Sequence, residues 1–276
     1  MSQWMKGLLT GVILAAAVTL VSMGPWSRAS GSSVASVARM PDGKPNLNGI
    51  WAANNTANWN IETHQAKQGP VVGLGAAFSV PAGLGVVEGG EVPYKPEAVR
   101  QRDANAKDWM AKDPEVKCYL PGVPRATYMP YPFQIVQSTA PNDILMTYEF
   151  ASASRIVHMN TKEEAPVDSW MGWSNGRWEG DTLVVDVTGF VDQTWFDRAG
   201  NYHSGALHVV ERYTPLGPDL IQYEATIEDP NVFTRAWKLR MPLYRRVEPN
   251  AQLLEYKCVE FAEELMYGHL NKEPKR

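Results

Sequence analysis

The sequence is poor in the residues and motifs that most often identify a particular chemistry. Its 276 residues contain only two cysteines and five histidines. A glycine-rich phosphate loop, a serine nucleophile elbow and a zincin helix motif are all missing from it. These absences argue against a nucleotide-binding protein, an α/β-hydrolase and a helical zinc protease.

Basic residues are also too few and too scattered for a nucleic-acid partner. The chain has 26 Lys and Arg against 30 Asp and Glu, a formal net charge of −4. Because phosphate contacts need clustered Lys and Arg, we expect no nucleic-acid binding. The length suits a single β-rich or α/β domain with a sizeable core.

Long apolar runs are confined to the N-terminus. Lys6 precedes the apolar segment Leu8–Met23, and the Ser/Ala-rich segment Arg28–Ala38 ends in two small-x-small patterns. We expect a cleaved secretory signal over residues 1–38, which makes the mature protein periplasmic or secreted with no stable membrane span. The alternative is an uncleaved anchor, although the run is shorter than the ~20 residues of a typical span.

The two cysteines predict a disulfide. In an oxidising compartment the simplest interpretation is a bond between Cys118 and Cys258, joining the middle of the chain to its last predicted strand. Two free buried thiols are the alternative. A cysteine nucleophile is less favoured, because no histidine lies near Cys118 in the sequence.

The first part of the predicted single domain, residues 39–132, is an arm with one helix. A turn leads into a short strand at Ile50–Trp51, and residues 54–90 predict a long loop packed on the body. Pro96–Met110 predicts a helix, since Pro96 and Glu97 suit a first turn. Its expected contact stripe consists of Val99, Ala106, Trp109 and Met110.

A proline-rich span follows this helix, from Cys118 to Phe133. Prolines disfavour both a helix and a central strand, so the span predicts a stiff, extended rim. Arg125, Tyr128 and Tyr131 would be held there in fixed positions. A purely structural strap is the alternative.

From residue 133 to 258 the sequence predicts an antiparallel β-meander. Apolar and polar residues alternate in short runs, with turn residues between them. The predicted strands are Gln134–Gln137, Ile144–Glu149, Arg155–Met159, Ser174–Trp178, Thr182–Thr188, Leu207–Tyr213, Ile221–Glu228, Trp237–Met241 and Leu253–Cys258. Because open sheet edges invite aggregation, we expect a lipocalin-like barrel with one or two flanking helices, or alternatively a curled sheet against a helix. Residues 259–276 would form a short helix or tail.

Several long motifs carry a family resemblance. They are GRWEGDTLVVD (Gly176–Asp186), DRAGNYHS (Asp197–Ser204), LHVVERY (Leu207–Tyr213) and IEDP (Ile227–Pro230). In these motifs the chain, from Pro41 to Cys258, resembles a largely uncharacterised family of exported bacterial β-rich proteins. The resemblance implies a shared fold and compartment, with a loose similarity to calycins, and implies no activity.

The loop from Asp192 to His203 concentrates the groups that can move protons or bind polar ligands. His203 or His208 with Asp192 or Asp197 would make an acid–base pair, and Arg198 could hold an anionic or carbonyl oxygen. Rings in and near the loop could stack on a substrate. The candidate substrate-binding residues are Arg125, Tyr131, Trp195, Phe196 and Tyr202. The structural alternative is an Asp197–Arg198 salt bridge, with His208 merely paired across strands.

A metal site is a weaker hypothesis. His203, His208 and Glu211 lie close in sequence, but an odd separation on a strand places His208 and Glu211 on opposite faces. We therefore expect neither a metal nor another cofactor.

Three classes of function remain open. The first is an exported enzyme of lyase, hydratase or isomerase type that acts by acid–base chemistry on a small hydrophobic or hydroxylated molecule. The second is a periplasmic carrier of a hydrophobic molecule without turnover, whose pocket should be almost wholly apolar. The third is a structural accessory of an envelope complex, which a broad apolar surface patch would favour.

Overall fold

The computed structural model describes residues 36–69, 71–138 and 143–271. Residues 1–35 of the predicted signal lie outside this part of the chain. Among the helices of the described residues, none has the length and apolar character needed to cross a membrane.

Within the described residues nine strands close into a barrel, with β1 paired to β9, and this confirms the predicted mainly β fold. The strands follow one another around the barrel in sequence order. They are β1 Gly49–Ala52, β2 Phe133–Gln137, β3 Ile144–Tyr148, β4 Ser154–Met159, β5 Trp173–Glu179, β6 Thr182–Thr188, β7 His208–Gly217, β8 Leu220–Glu228 and β9 Trp237–Arg245.

One pair of neighbouring strands is parallel, which corrects the expectation of a wholly antiparallel meander. A closed ring of strands that alternate up and down needs an even number of strands. With nine, one neighbouring pair must run in the same direction, and here it is β4 with β5. A parallel pair needs a long crossover connection, and residues 160–172 supply it.

The alternating pattern of the sequence places apolar side chains inside the barrel, as predicted. In β8, Ile221, Tyr223, Ala225 and Ile227 are completely buried, while the residues between them face outward. Fully burying one large apolar side chain contributes about 1.5–3 kcal/mol. The summed burial of these inward rows holds the barrel closed.

Within the described residues the helices are short and lie in the segments between β1 and β2 and after β9. They are α1 Pro96–Lys107, α2 Trp109–Lys112, α3 Arg125–Tyr128 and α4 Ala262–Tyr267, with 3-10 segments at Val72–Phe78, Pro114–Lys117, Phe150–Ser152 and Gly268–Asn271. The predicted helix at Pro96 is confirmed, with Pro96 in its first turn. Its most buried residues are Ala98 and Asn105 rather than the expected stripe.

A glycine explains this shift of the buried face of α1. Gly200 packs directly on the helix, at a φ of +85°, and a Cβ there would lie 2.5 Å from the backbone oxygen of Arg102. The Asn105 side chain then donates a hydrogen bond to the Gly200 carbonyl, at 3.3 Å. The close approach of this loop thus turns Asn105 inward.

The prediction of an extended rim for the proline-rich span was wrong. Its residues Arg125–Tyr128 form the one-turn helix α3, all four residues are buried, and Arg125 is only 1% exposed. The prolines permit this turn because Pro124 occupies the residue before the helix and Pro130 follows it. Proline disrupts a helix interior but not its boundaries.

The predicted last strand, Leu253–Cys258, was also wrong. This segment has no regular secondary structure and no strand partner among the described residues, since β1 already pairs with β9 and closes the barrel. It belongs to a segment outside the barrel, residues 246–261, that we call the C-terminal strap. Leu254 in this strap donates its backbone N–H to Glu149 at 2.9 Å.

The predicted disulfide is confirmed. Cys118 and Cys258 are bonded across a sequence separation of 140 residues. Both cysteines of the chain are therefore used, which excludes a cysteine nucleophile in this form of the protein. The bond attaches the C-terminal strap to the 3-10 segment Pro114–Lys117.

Candidate functional site

The loop Asp192–His203 is packed into the protein over most of its length. Trp195 and Phe196 are buried, and the Phe196 N–H donates to the Asn201 carbonyl at 2.7 Å. Asp192, in contrast, is exposed. The loop's aromatic rings therefore contribute to the core, and its polar groups must be considered one at a time.

Asp197 organises the loop from inside. Its carboxylate accepts hydrogen bonds from the backbone N–H groups of Ile61 (2.8 Å), Ala199 (2.9 Å) and Asn201 (3.2 Å). The Asn201 side chain donates to it as well, at 2.6 Å. Complete burial raises the pKa of Asp197 to about 7, against the opposing effect of these donors. These donors occupy both oxygens, and among the described residues neither histidine is hydrogen-bonded to Asp197.

His203 is sealed in a similar way. Its Nδ1 donates to the Ser204 carbonyl at 2.8 Å, so its Nε2 accepts from the Thr194 hydroxyl at 2.5 Å. The rings of Phe190 and Phe196 lie against it. Burial lowers the pKa of His203, which favours the neutral ring. In this arrangement both nitrogens hold the loop together.

The two predicted arginines belong to one buried ionic network, in which Arg125 pairs with Asp113 at 2.8 Å and with Glu115 at 2.7 Å. Arg198 pairs with Glu115 at 2.9 Å and with Glu263 at 3.2 Å, instead of with Asp197. Burial alone would raise the pKa of Glu115, but the two guanidinium groups outweigh it and lower that pKa to about 2.

The remaining predicted rings are dispersed. Tyr202 stacks on Tyr94 at a centroid distance of 6.0 Å, and its hydroxyl donates to the Ala98 carbonyl. Tyr131 instead contacts Tyr256, at 4.9 Å, beside the C-terminal strap. The structure thus brings Arg198 and Tyr131 to one cavity and leaves the other predicted residues elsewhere.

Sequence reasoning missed a charged cluster inside the barrel. Arg155 on β4 pairs with Glu211 on β7 at 2.6 Å, and both side chains are almost completely buried. The hydroxyls of Tyr213 and Tyr223 donate to Glu211 at 2.9 and 2.8 Å. Arg155 also donates to Tyr148 at 3.0 Å. The signal was available in the sequence, since both charges occupy inward positions of alternating strands.

This interior cluster is saturated with hydrogen bonds. Both oxygens of Glu211 accept from Arg155, and the guanidinium also donates to Ser174 and Tyr213. Burial raises the pKa of the Tyr213 and Tyr223 hydroxyls well above the ordinary value, so they remain donors. The cluster therefore acts as a polar core.

Unlike this buried cluster, a groove on the outside of the barrel is open to solvent. It encloses about 700 Å³ between the crossover segment and the outer face of β5 and β6. It is lined by Asn160, Thr161, Lys162, Glu163, Glu164, Asn175, Gly176, Arg177, Asp186 and Thr188. Gly189 allows the crossover to approach the sheet, because a Cβ there would lie 2.4 Å from the Cβ of Ala165.

Asp186 borders the groove and contacts His208 behind it. His208 Nε2 lies 3.0 Å from Asp186 Oδ1, and its Nδ1 lies 3.4 Å from Glu228 Oε2. The side chains of His208 and Asp186 are 33% and 40% exposed, so this pair is open to solvent. His208, a predicted catalytic residue, is thus paired with a carboxylate that sequence analysis did not select.

Two residues of the groove lining carry groups with no partner among the described residues. Asp186 Oδ2 accepts no hydrogen bond from residues 36–69, 71–138 or 143–271. Lys162 has no ionic partner within that part of the chain, whereas Arg177 is paired with Glu179 at 2.7 Å. A carboxylate oxygen and an ammonium group are therefore available to a ligand here.

We find no group of three His, Cys, Asp or Glu side chains able to hold a metal ion among the described residues. No family model, curated protein or solved structure matches the chain. The family resemblance of the motifs thus stays a prediction.

Proposed function

We propose that the protein is an exported, cofactor-independent enzyme that transfers a proton on a small hydroxylated molecule bound in the outer groove. The observation that carries the proposal is the free Oδ2 of Asp186, which borders the groove while Oδ1 contacts His208. The reaction is of lyase, hydratase or isomerase type, because these reactions need a positioned acid or base.

Asp186 is the acid–base group, and His208 is the residue that positions it. The imidazole contacts Asp186 Oδ1, and Oδ2 has no hydrogen-bond partner among the described residues. Glu228 contacts the second ring nitrogen and fixes the ring orientation. In its charged form the ring donates to both carboxylates.

The proton transfer follows from these positions. Asp186 Oδ2 takes a proton from a substrate carbon, and the electron pair of the broken bond forms a new double bond. In a dehydration, the C–O bond on the next carbon breaks, and that hydroxyl takes up the proton from Asp186 and leaves as water. In an isomerisation, the adjacent π bond of the substrate breaks as the new double bond forms, and the proton returns to the far atom of that former π bond. The Lys162 ammonium group stabilises negative charge that develops on a substrate oxygen.

The polarity of the groove supports a hydroxylated substrate over a hydrophobic one. Apart from Gly176, all of its lining residues carry hydrogen-bonding side chains. The carrier alternative would need an apolar pocket, whereas large side chains such as Tyr213 and Tyr223 occupy the barrel interior. The disulfide supports export, since such bonds persist in oxidising compartments.

The proposal is tested with a periplasmic small-molecule extract in D₂O, using mass spectrometry to find molecules that gain deuterium or change by one water. We expect the wild-type protein to convert at least one hydroxylated molecule and Asp186→Asn to be slower by about 10²–10⁴-fold. Glu224→Gln is the matched control, because Glu224 is an outward carboxylate on β8 that does not line the groove.

Two outcomes would contradict the proposal. One is equal conversion by wild type and Asp186→Asn, and the other is equal slowing by Glu224→Gln. Retention of an extracted molecule without any conversion would favour the carrier.

A further inference from the structure

A second cavity lies beneath the C-terminal strap. It encloses about 160 Å³ and shares no residue with the groove. One wall is aromatic, formed by Tyr131, Phe150 and Tyr256, whose ring centroids lie 4.9–5.7 Å apart. A dry cavity of about 150 Å³ can accept one benzene ring, so this volume suits a single-ring molecule.

Arg198 supplies the polar side of the cavity. Its Nε and Nη2 donate to Glu115 and Glu263. Its Nη1 donates to no residue of the described chain and keeps some solvent-accessible surface. Two N–H groups are therefore accessible to solvent or to a ligand.

The guanidinium is also held rigidly. Its central carbon lies 4.7 Å from the ring centroid of Trp59 and 4.8 Å from that of Trp109. Glu115 accepts two of its hydrogen bonds, both at 2.9 Å. A donor that is already ordered loses little entropy when it binds a ligand, which favours specific recognition.

The charges around Arg198 decide which ligands fit. Glu115 and Glu263 already neutralise its positive charge, so an anionic ligand would face two carboxylates at close range. An uncharged oxygen acceptor gains the Nη1 hydrogen bond without that repulsion. The site therefore favours a neutral molecule over a carboxylate.

We propose that the cavity beneath the C-terminal strap binds an uncharged, single-ring molecule whose carbonyl oxygen accepts a hydrogen bond from Arg198 Nη1. The ring packs against the Tyr131, Phe150 and Tyr256 wall. The proposal does not depend on the activity assigned to the groove.

The test is a ¹H–¹⁵N NMR titration of the full protein with benzamide, toluene and benzoate, following the indole signals of Trp59 and Trp109. We expect saturable binding of benzamide, and binding of toluene and benzoate weaker by about 10-fold or more, since each lacks the neutral acceptor. Substituting Arg198 would remove one of the two guanidinium groups that pair with the buried Glu115 and would destabilise the fold. The cavity is therefore tested by filling it with a larger side chain. Ala262→Phe places a ring in the cavity, while Ala251→Phe adds the same bulk at an exposed strap residue outside it.

Benzamide binding should be lost in Ala262→Phe and kept in Ala251→Phe, with the remaining spectrum of both variants unchanged. The proposal is overturned if wild type shows no saturable benzamide binding, or if Ala262→Phe binds as well as wild type. Equal binding of benzoate would overturn the preference for an uncharged ligand. A folded Ala262→Phe spectrum separates loss of the site from loss of the fold.

Discussion

Strand β7 places a charged or titratable side chain on each face of the barrel wall, and the two side chains differ in burial and in hydrogen bonding. Inward, Glu211 is completely buried and accepts hydrogen bonds from Arg155, Tyr213 and Tyr223. Outward, His208 is one-third exposed and supports Asp186, which keeps one oxygen free. A polar cluster whose hydrogen bonds are all satisfied thus stabilises the fold, whereas one with an unpaired oxygen at a groove is available for chemistry.

The largest expected effect comes from breaking the inward pair. Arg155→Met should lower the free energy of unfolding by about 3–5 kcal/mol, because it leaves the Glu211 charge buried and unpaired. The double variant Arg155→Met with Glu211→Leu should recover most of this loss. Urea denaturation measures both, and a single variant as stable as wild type would show that the pair does not hold the barrel.

Removing the disulfide comes next. Replacing Cys118 and Cys258 together by serine should lower the free energy of unfolding by about 2–5 kcal/mol, since the bond restricts a long loop in the unfolded chain. The strap, and not the barrel, should be the part that loosens, as hydrogen exchange can measure. Faster exchange throughout β7 and β8 instead would show that the barrel depends on the strap.

His203 should contribute to the dependence of stability on pH. Burial lowers the pKa of His203 below its ordinary value of 6.5, so the unfolded chain binds more protons in this range. The contribution of the neutral ring is fully present above pH 6.5 and is lost as pH falls toward the lowered pKa. His203→Gln should therefore reduce the loss of stability on acidification, measured by urea unfolding at several pH values. A pH profile that His203→Gln leaves unchanged would contradict a sealed neutral ring.

Breaking the outward pair should have the smallest effect on stability. His208→Gln removes a partly exposed interaction, and such pairs contribute at most about 1 kcal/mol. Its thermal unfolding should be close to that of wild type, while conversion by the groove should slow through the loss of Asp186 positioning. A large loss of stability would assign His208 to the fold instead.

Much of the barrel could be predicted from the sequence because alternation reports directly on which face of a strand is buried. For this reason the alternation in the ranges 221–227 and 183–187 predicted the strands β8 and β6. The same pattern led to a wrong prediction at Leu253–Cys258, because apolar and polar residues also alternate in the strap. No local feature of the sequence indicates that β1 and β9 already close the barrel. The parallel pairing of β4 with β5 likewise depends on the total number of strands.

The candidate site was harder to predict, because its groups are distant in the sequence and only the folded chain brings them together. Asp197 and His203 are polar residues in a loop, and only the structure shows that backbone N–H groups and Thr194 occupy them. Asp186 lies on β6, and nothing near it in the sequence indicates that it contacts His208, 22 residues away. Arg198 and Glu115, separated by 83 residues, meet in the same way.

The most direct test makes the same chemical change on each face of the barrel and measures the free energy of unfolding in urea. Glu211→Gln should cost about 3 kcal/mol or more, because the buried Arg155 loses its counter-charge. Asp186→Asn should cost less than about 1 kcal/mol, because its partner is open to solvent. Equal costs, or a larger cost for Asp186→Asn, would contradict the division between a structural interior and a functional outer face.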